Sequence, residues 1–547
     1  MKRMLLAAVA VLGLTGCITI PDAGPVQLGH VDTSEQSTNL VFLAQEPQPG
    51  ATQEEIILGF LGAGVSPSGG FSIAREYLTD AAAARWMPEA QVLVRAVAPE
   101  VSLAGENEAT AVVRALSEIG PNGALQLTDG DRMLEFSLAQ VDGEWRITQA
   151  PDGIVLSSYH FDQLFSSHTL HWLTPDGTRS VPEVRWFERT AGTRAERVID
   201  AVLAGPSTWL SPAVSTFGAV EASRVGEAQV DGTSMTVVLD FAQVRQLGTS
   251  SLGPLAAQLA ASLRDLGVRE VIVEVEGLDG VSASSADAPP IDLGAVDQRP
   301  LVLDGTALRA IGGAATVDDV GPTLAAIGAT SFTVGEAGGV AHTGTTAAWI
   351  VPGVEPVVVS TDVAVVPTVD DSGWVLAQER GARQRLLAWR DGERAELTLP
   401  PGADRVTAMA LSRDGARLAL TTSQGASSEV WVLAVVRDAD GRPTTLGEPY
   451  RMPQVDGAAV DITWAGPTQL AVLASEDDRP QIVMLDVGGT SEQLPSPDVP
   501  VRAIVGGSEG GATLRALAAD GSVLSLRGQV WSPATGLGPV RLIATQQ

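Results

Sequence analysis

Val406-Thr407-Ala408-Met409-Ala410-Leu411-Ser412-Arg413-Asp414-Gly415 is the stretch that decides how this chain folds. An apolar run of strand formers meets an Asp-Gly turn, and a second apolar run resumes through Leu418 and Leu420. A third strand-like run covers residues 429–436, and strand, Asp-Gly turn, strand, strand is what one blade of a β-propeller requires. The same order of apolar stretch, turn and apolar stretch recurs in residues 367–378, 462–473 and 515–526. Their turns are Ser372-Gly373, Gly466-Pro467 and Asp520-Gly521, and successive turns lie roughly 40–55 residues apart, near the period of a propeller blade. A unit of that size cannot bury both of its faces alone, so copies must stack into a closed ring. Weaker units at residues 301–311 and 331–351 bring the expected ring, over residues 290–547, to about six blades.

Upstream of the ring the pattern changes from all-β to α+β. Thr52-Gln53-Glu54-Glu55 forms a capping box before Ile56, Ile57, Phe60 and Leu61 at helical spacing. A second helix is predicted over residues 71–85, with Ile73, Tyr77, Leu78 and Ala81 on one stripe and Pro88 limiting its extension. Strand formers follow at 91–97, 109–116, 133–141 and 145–149, the last two joined by Asp142-Gly143 as a hairpin turn. Helices first and an antiparallel meander after, over residues 39–160, resemble the cystatin or NTF2 superfamily.

A second α+β unit is expected over residues 168–282. His171-Trp172-Leu173 and Val184-Arg185-Trp186 flank a turn at Pro175-Asp176-Gly177. Thr193-Arg194-Ala195-Glu196 opens a helix through Val198, Ile199 and Val202 that stops at Gly205-Pro206. A strand at 235–240, a helix at 255–263 closed by Gly267, and a strand at 270–276 complete it. The order strand, Pro182-Glu183-Val184-Arg185, helix ending Ala204-Gly205-Pro206, strand, helix, strand resembles the GerMN domain, a non-catalytic surface module. Residues 282–300, rich in Ser, Ala, Asp and Pro, read as a crossing segment. The expected fold is therefore multidomain: two α+β domains, NTF2/cystatin-like and then GerMN-like, followed by an all-β propeller.

The N-terminus carries Lys2 and Arg3, an apolar stretch from Met4 to Leu14, and Thr15-Gly16-Cys17. This is the order of a secretory signal, residues 1–16. At about 1.5 Å per residue the apolar stretch covers about half of a bilayer's hydrocarbon core, too little for a span. Leu14-Thr15-Gly16-Cys17 resembles a lipobox, in which the cysteine thiol receives a diacylglycerol and cleavage follows before it. Cys17 is the expected lipidation site and the membrane the expected partner, with acyl chains contributing about 0.8 kcal/mol per buried CH₂. Residues 17–38 are polar, with Pro21, Gly24, Pro25 and Gly29, and read as a tether.

Composition excludes several chemistries. The chain has 35 basic and 65 acidic side chains, a net charge of −30, and loss of Lys2 and Arg3 makes it more acidic still. Such a surface repels nucleic acid. Lys2 is the only lysine, so no phosphate-loop lysine, Schiff base or Ser/Lys dyad is available in the mature chain. Cys17 is the only cysteine, which leaves no disulfide, thiolate metal ligand or thiol nucleophile.

The remaining constellations are weak. The histidines are His30, His160, His168, His171 and His342; His168 and His171 are three apart on a predicted strand, so they face opposite ways and do not grip one metal. Gly506-Gly507-Ser508-Glu509-Gly510 matches a nucleophile elbow in letters, but a strand rather than a helix follows. Asp438-Ala439-Asp440-Gly441 starts like a calcium loop without the remaining ligands and reads as a hairpin turn. Trp172, Trp186 and Phe187 near Arg185 and Arg189 are either an exposed recognition patch or, as favoured here, core and interdomain seam. No catalytic residue, cofactor or metal ligand is expected.

Lipobox, NTF2-like unit, GerMN-like unit and propeller, in that order, are similar to the LpqB lipoprotein family of actinobacteria. Its anchors here are Leu14 to Cys17, Pro182-Glu183-Val184-Arg185, Ala204-Gly205-Pro206 and the Asp414-Gly415 blade. The resemblance implies a non-enzymatic, lipid-anchored protein on the extracytoplasmic face of the cell membrane. It further implies an accessory to the MtrA/MtrB two-component system that binds the sensor kinase's extracytoplasmic domain. Two other readings stay open. One is an envelope-active propeller hydrolase, with acids such as Asp370, Asp371 and Asp391 converging at the channel mouth; the other is an adaptor that binds cell-wall glycan or peptidoglycan.

Overall fold

Thr52 caps the first helix, Gln53–Ala63, as its sequence demands: Glu55 N–H donates to the Thr52 hydroxyl at 3.3 Å and Thr52 N–H donates to the Glu55 carboxylate at 2.8 Å. The computed structural model of the chain describes residues 42–189, 194–217, 222–241, 250–292, 299–311, 320–507 and 510–546. Cys17 with the leader, His30, Thr193, Ser508 and Glu509 lie outside the described residues. Ile56, Ile57, Phe60 and Leu61 are buried along one face of the first helix. Full burial of each such side chain contributes roughly 1.5–3 kcal/mol.

The second helix differs from expectation. It is two pieces, Ser68–Glu76 and Asp80–Ala83, instead of one continuous helix to Arg85. Between them Ile147 N–H donates to the Tyr77 carbonyl and Thr79 N–H donates to the Ile147 carbonyl, both at 2.9 Å, so the backbone leaves the helix to pair with the sheet. Thr79 then caps the short second piece. This restart shifts the helical phase, and Ala82 is buried where Ala81 was expected, Ala81 being exposed.

The first sheet runs in the order Glu144–Gln149, Leu125–Val141, Glu108–Ile119, Val92–Arg95, Ile154–Ser157, with Glu100–Leu103 also pairing with Glu108–Ile119. Asp142 and Gly143, at φ 55° and 85°, make the two-residue turn between Val141 and its partner Glu144. Glu100–Leu103 and Ile154–Ser157, four residues each, escaped the sequence reading. The first core gathers the helix faces against Val113, Phe136, Leu138 and Ile147, and it also takes in Phe161, Phe165, Val184 and Trp186 from the unit that follows.

In that second unit, Phe165–Leu173 and Ser180–Glu188 form an antiparallel hairpin. Helix Arg194–Ala204 buries Val198, Ile199 and Val202 and ends at Gly205, whose φ of 89° breaks the helix without a Cβ penalty. Strands Ser234–Phe241 and Glu270–Val275 are parallel, which demands a crossover, and helix Leu252–Leu263 lies in that connection. Ser282–Ser284 adds an antiparallel strand, so the expected crossing segment begins inside this sheet.

The propeller contains four four-strand meanders that start at Ser331–Gly335, Thr368–Val369, Val406–Leu411 and Ala458–Trp464, and a fifth that starts at Val501–Val505. A sixth blade is composite: the C-terminal strand Leu542–Gln546 pairs antiparallel with Leu301–Asp304, which pairs with Ala307–Ala310. Leu542–Gln546 also pairs in parallel with Ser331–Gly335, so the two ends of the propeller sequence close the ring. The described residues thus form six blades. One repeat was misaligned by a strand. Asp520-Gly521 joins the second and third strands of its blade, Arg515–Ala518 and Val523–Arg527, whereas the other three turns join the first and second. The first three strands of this blade, Val501–Val505, Arg515–Ala518 and Val523–Arg527, are all rich in apolar residues, so the pattern alone cannot fix which pair is seen.

Candidate functional site

Two places gather polar side chains away from bulk solvent: the seam between the second unit and the propeller, and the channel through the propeller.

The seam is built by the two motifs that stood out in the sequence. Arg185 of Pro182-Glu183-Val184-Arg185 pairs with Glu183 at 2.7 Å, their side chains 1% and 4% exposed. It also donates to the Ser207 hydroxyl at 2.9 Å and to the Gly205 carbonyl at 3.3 Å, which joins it to Ala204-Gly205-Pro206. Trp172 Nε1 donates to the other Glu183 oxygen at 2.6 Å. On the propeller side, Arg417 pairs with Asp414, donates to the Pro182 carbonyl at 3.1 Å and the Pro467 carbonyl at 2.8 Å, and stacks on Trp464. One guanidinium therefore holds two blade turns and the second unit. Trp186 Nε1 donates to the Gly488 carbonyl at 2.8 Å while its ring fills the first core. Tyr450 donates to the Leu125 carbonyl at 3.0 Å, and burial pushes its hydroxyl well above the usual phenol range. These bonds tie all three parts of Phe42–Gln547 together. Trp172, Trp186, Phe187 and Arg185 are buried, so the seam reading holds and the exposed-patch reading does not; Arg189 donates to the Asp162 carbonyl.

The acids proposed for a channel-mouth active site do not converge. Asp370 is paired with Arg437 at 2.6 Å and accepts from Trp374 N–H, Asp371 is paired with Arg179 at 2.7 Å, and Asp391 occupies the turn between Arg385–Arg390 and Glu393–Thr398 at φ 51°. Asp371 lies at the seam through Arg179, Asp370 is held by propeller residues alone, and Asp391 lies on the outer strands.

The channel itself is a cavity of about 250 Å³ lined by residues of all six innermost strands, among them Thr333, Thr368, Leu411, Asp461, Thr463, Arg502, Val505 and Ile543. Side chains of one inner strand accept from backbone N–H groups of the next: Thr368 from Leu411 at 3.1 Å, Asp461 from Ile504 at 2.9 Å, Thr463 from Gly506 at 3.2 Å. β-Bulges fall at Thr407, Val460 and Arg502, at matching places on three inner strands, and the bulge at Val460 sets Asp461 in the wall. Burial raises the Asp461 carboxyl to about 7, against the opposing effect of the N–H groups of Ile504 and Ile462. Asp461 was missed in the sequence, although one acid inside the apolar run Ala459-Val460-Asp461-Ile462 is a visible break of pattern.

The other candidates are structural. The His168 ring binds the Ser262 carbonyl at 2.6 Å and the His171 ring binds the Ser180 hydroxyl at 2.7 Å. Among the described residues no group of three or more His, Cys, Asp or Glu is placed to hold a metal. Asp438 accepts from Asp440 N–H and Arg442 N–H, both at 3.0 Å, and closes a hairpin. After Gly510 the chain makes a single 3₁₀ turn, Gly510–Thr513, and enters strand Arg515–Ala518. Among the described residues no helix is long and apolar enough to cross a membrane.

Comparison with known proteins gives a consistent result. Residues 46–162 match the family model "Lipoprotein LpqB, N-terminal domain", and residues 299–541 match "Lipoprotein LpqB beta-propeller domain". Lipoprotein LpqB of Streptomyces avermitilis is 26% identical over an alignment covering 96% of each chain. That of Rhodococcus jostii is 24% identical, covering 88% of this chain and 86% of the relative. The alignment to the Cutibacterium acnes protein, 29% identical, spans less than half of either, 48% of this chain and 44% of the other. Among solved structures, the tandem GerMN domains of the Bacillus subtilis sporulation protein GerM are 16% identical with a TM-score of 0.19, covering 24% of this chain and 45% of that one. A chain of a nidogen/laminin complex is 13% identical with a TM-score of 0.32, covering 45% of this chain and 97% of that one.

Proposed function

This chain belongs to the LpqB lipoprotein family, and from that premise we propose that it is a non-enzymatic accessory of a two-component sensor kinase. It is held on the extracytoplasmic face of the cell membrane by a diacylglycerol on Cys17 and binds the extracytoplasmic domain of an MtrB-like kinase. The observation that carries this reading is Arg417, a buried cation bonded at once to Asp414, Pro182 and Pro467. Through it and the bond from Trp186 Nε1 to the Gly488 carbonyl, the second unit and the propeller act as one body, so a surface on either can be presented in fixed orientation. A partner shifts a kinase's conformational equilibrium only by binding one state better than the other, and a rigid binder discriminates states by shape. The net charge of −30 favours a protein partner with a basic face over nucleic acid.

The test is a pull-down of the kinase's extracytoplasmic domain by the ectodomain lacking its leader. Retention that weakens with added salt is the expected result. Absence of binding at high micromolar concentration overturns the reading.

A further inference from the structure

Three charged residues line the propeller channel, Asp461, Arg502 and Arg413; Arg413 is under the charge of Asp371, whereas among the described residues Asp461 and Arg502 pair neither with each other nor with another charged side chain. Among the described residues no cation lies within ion-pair distance of Asp461 and no carboxylate within that distance of Arg502, although both line the same cavity. The bonds Asp461 does make, from Ile462 N–H at 3.0 Å and Ile504 N–H at 2.9 Å, occupy one lone pair on each oxygen and leave the others. Arg502 donates one bond, to the Arg541 carbonyl at 2.7 Å, out of five that a guanidinium can give. The Ser331 hydroxyl, also in the channel wall, is buried and makes no hydrogen bond. Arg502 stands exposed at the mouth, whereas Asp461 is partly buried and the Ser331 hydroxyl oxygen fully so; a native fold pairs its enclosed polar groups, and a wall that leaves these two open toward one cavity suits something that fills it.

The cavity is reached from solvent at the end where the inner strands begin, since Val366 and Val460 on its lining are 37% and 44% exposed. Toward the other end the Arg413 carbonyl accepts from Arg179 of the second unit. At about 30 Å³ per water, a volume of about 250 Å³ corresponds to about eight waters, or a molecule of comparable non-hydrogen atom count.

We propose that the propeller channel is a binding site for a small zwitterion of amino-acid or dipeptide size, its carboxylate on Arg502 and its ammonium on Asp461. A simple anion satisfies Arg502 alone and a simple amine Asp461 alone; only a ligand carrying both charges answers both. This site is independent of the kinase-binding reading, and either can fail without the other.

The experiment is melting of the full chain in detergent, followed by tryptophan fluorescence, which senses the channel directly because Trp464 lines it. L-alanine and glycylglycine are compared with acetate, N-acetyl-L-alanine and L-alaninamide at about pH 7.5, where most of the Asp461 carboxyl is ionised, each at about 10 mM, a range that detects millimolar affinity. The zwitterions are expected to raise the melting temperature by about 1–3 °C, and the singly charged analogues to leave it unchanged. Arg502→Gln and Asp461→Asn are each expected to weaken zwitterion binding at least about tenfold. Arg502 is at the solvent-facing mouth, so its variant folds even if the Asp461 variant does not. No shift with either zwitterion, equal shifts with the singly charged analogues, or undiminished binding by Arg502→Gln overturns the proposal.

Discussion

Arg185 and Glu183 stand two residues apart on one strand, point to the same side, and meet as a buried pair at 2.7 Å. Their remaining bonds, to Ser207, Gly205 and Trp172, are all made within the second unit. Breaking such a pair by removing one member leaves the other charge desolvated, at a cost of about 3–5 kcal/mol. Arg185→Leu is therefore expected to destabilise the ectodomain by that order, and Arg185→Leu with Glu183→Leu by less than the single change. Urea denaturation of the three proteins checks this, and a double variant weaker than the single one contradicts it.

Arg417 differs because its bonds cross between parts of the molecule. Arg417→Ala strands Asp414, 6% exposed, and removes a donor from the carbonyls of Pro182 and Pro467. A loss of about 3–5 kcal/mol is expected. Faster amide hydrogen exchange along Ser180–Glu188 and around Gly466 should accompany it. Arg385→Ala is the control: its partner Glu396 and Arg385 itself are more than half exposed, and a pair of that kind contributes about 1 kcal/mol or less.

What the sequence made legible was local. The Thr52 capping box and the Asp142-Gly143 turn are settled by residues within a few positions of one another, and both form as read. The blade period was legible because apolar strands and turns repeat, but the phase of the last repeat was not, since Asp520-Gly521 looks like any other blade turn. The break at Tyr77 depends on a bond to Ile147, seventy positions away, and no helical pattern could announce it. The seam was half legible: Pro182-Glu183-Val184-Arg185 and Ala204-Gly205-Pro206 stood out, whereas the bond from Arg185 to Gly205 that joins them did not. Asp461 was passed over because its importance comes from five other inner strands that close around it.

The proposed anchor is Cys17, the only thiol in the chain. Cys17→Ser removes the atom proposed to take the diacylglycerol, and the protein is expected to move from the membrane pellet to the soluble fraction. Fractionation with mass spectrometry of the N-terminal peptide measures both. A Cys17→Ser protein that stays with the membrane, or a wild-type N-terminus bearing an unmodified thiol, contradicts the lipid anchor.

His171 gives the second unit an acid-sensitive element. Burial lowers its pKa from 6.5 to about 4, with the charge of Asp265 opposing. The native state thus holds the ring neutral where the unfolded chain would protonate it. Stability from this group is complete above about pH 6.5 and is lost as pH falls toward 4. His171→Gln keeps a hydrogen-bonding group opposite Ser180 without the titration. It should flatten that part of the stability profile between pH 6.5 and 4, as followed by melting temperature; an unchanged slope would show that the ring is already charged in the folded state.

Asp461 acts with the opposite sign. Its carboxyl, raised by burial from 3.8 to about 7, is protonated in the native state over a range where the unfolded chain has already lost the proton. The stabilisation is full below about pH 4, declines as pH rises, and is gone above about 7. Asp461→Asn, which still accepts a bond from Ile504 N–H, is permanently neutral at this position and does not carry the cost of ionising there. Relative to wild type it should gain melting temperature as pH is raised from 5 to about 7, with the difference levelling off above that. A difference between the two proteins that is constant with pH would mean that Asp461 ionises in the folded channel as readily as in water, and that the channel wall does not hold back its charge.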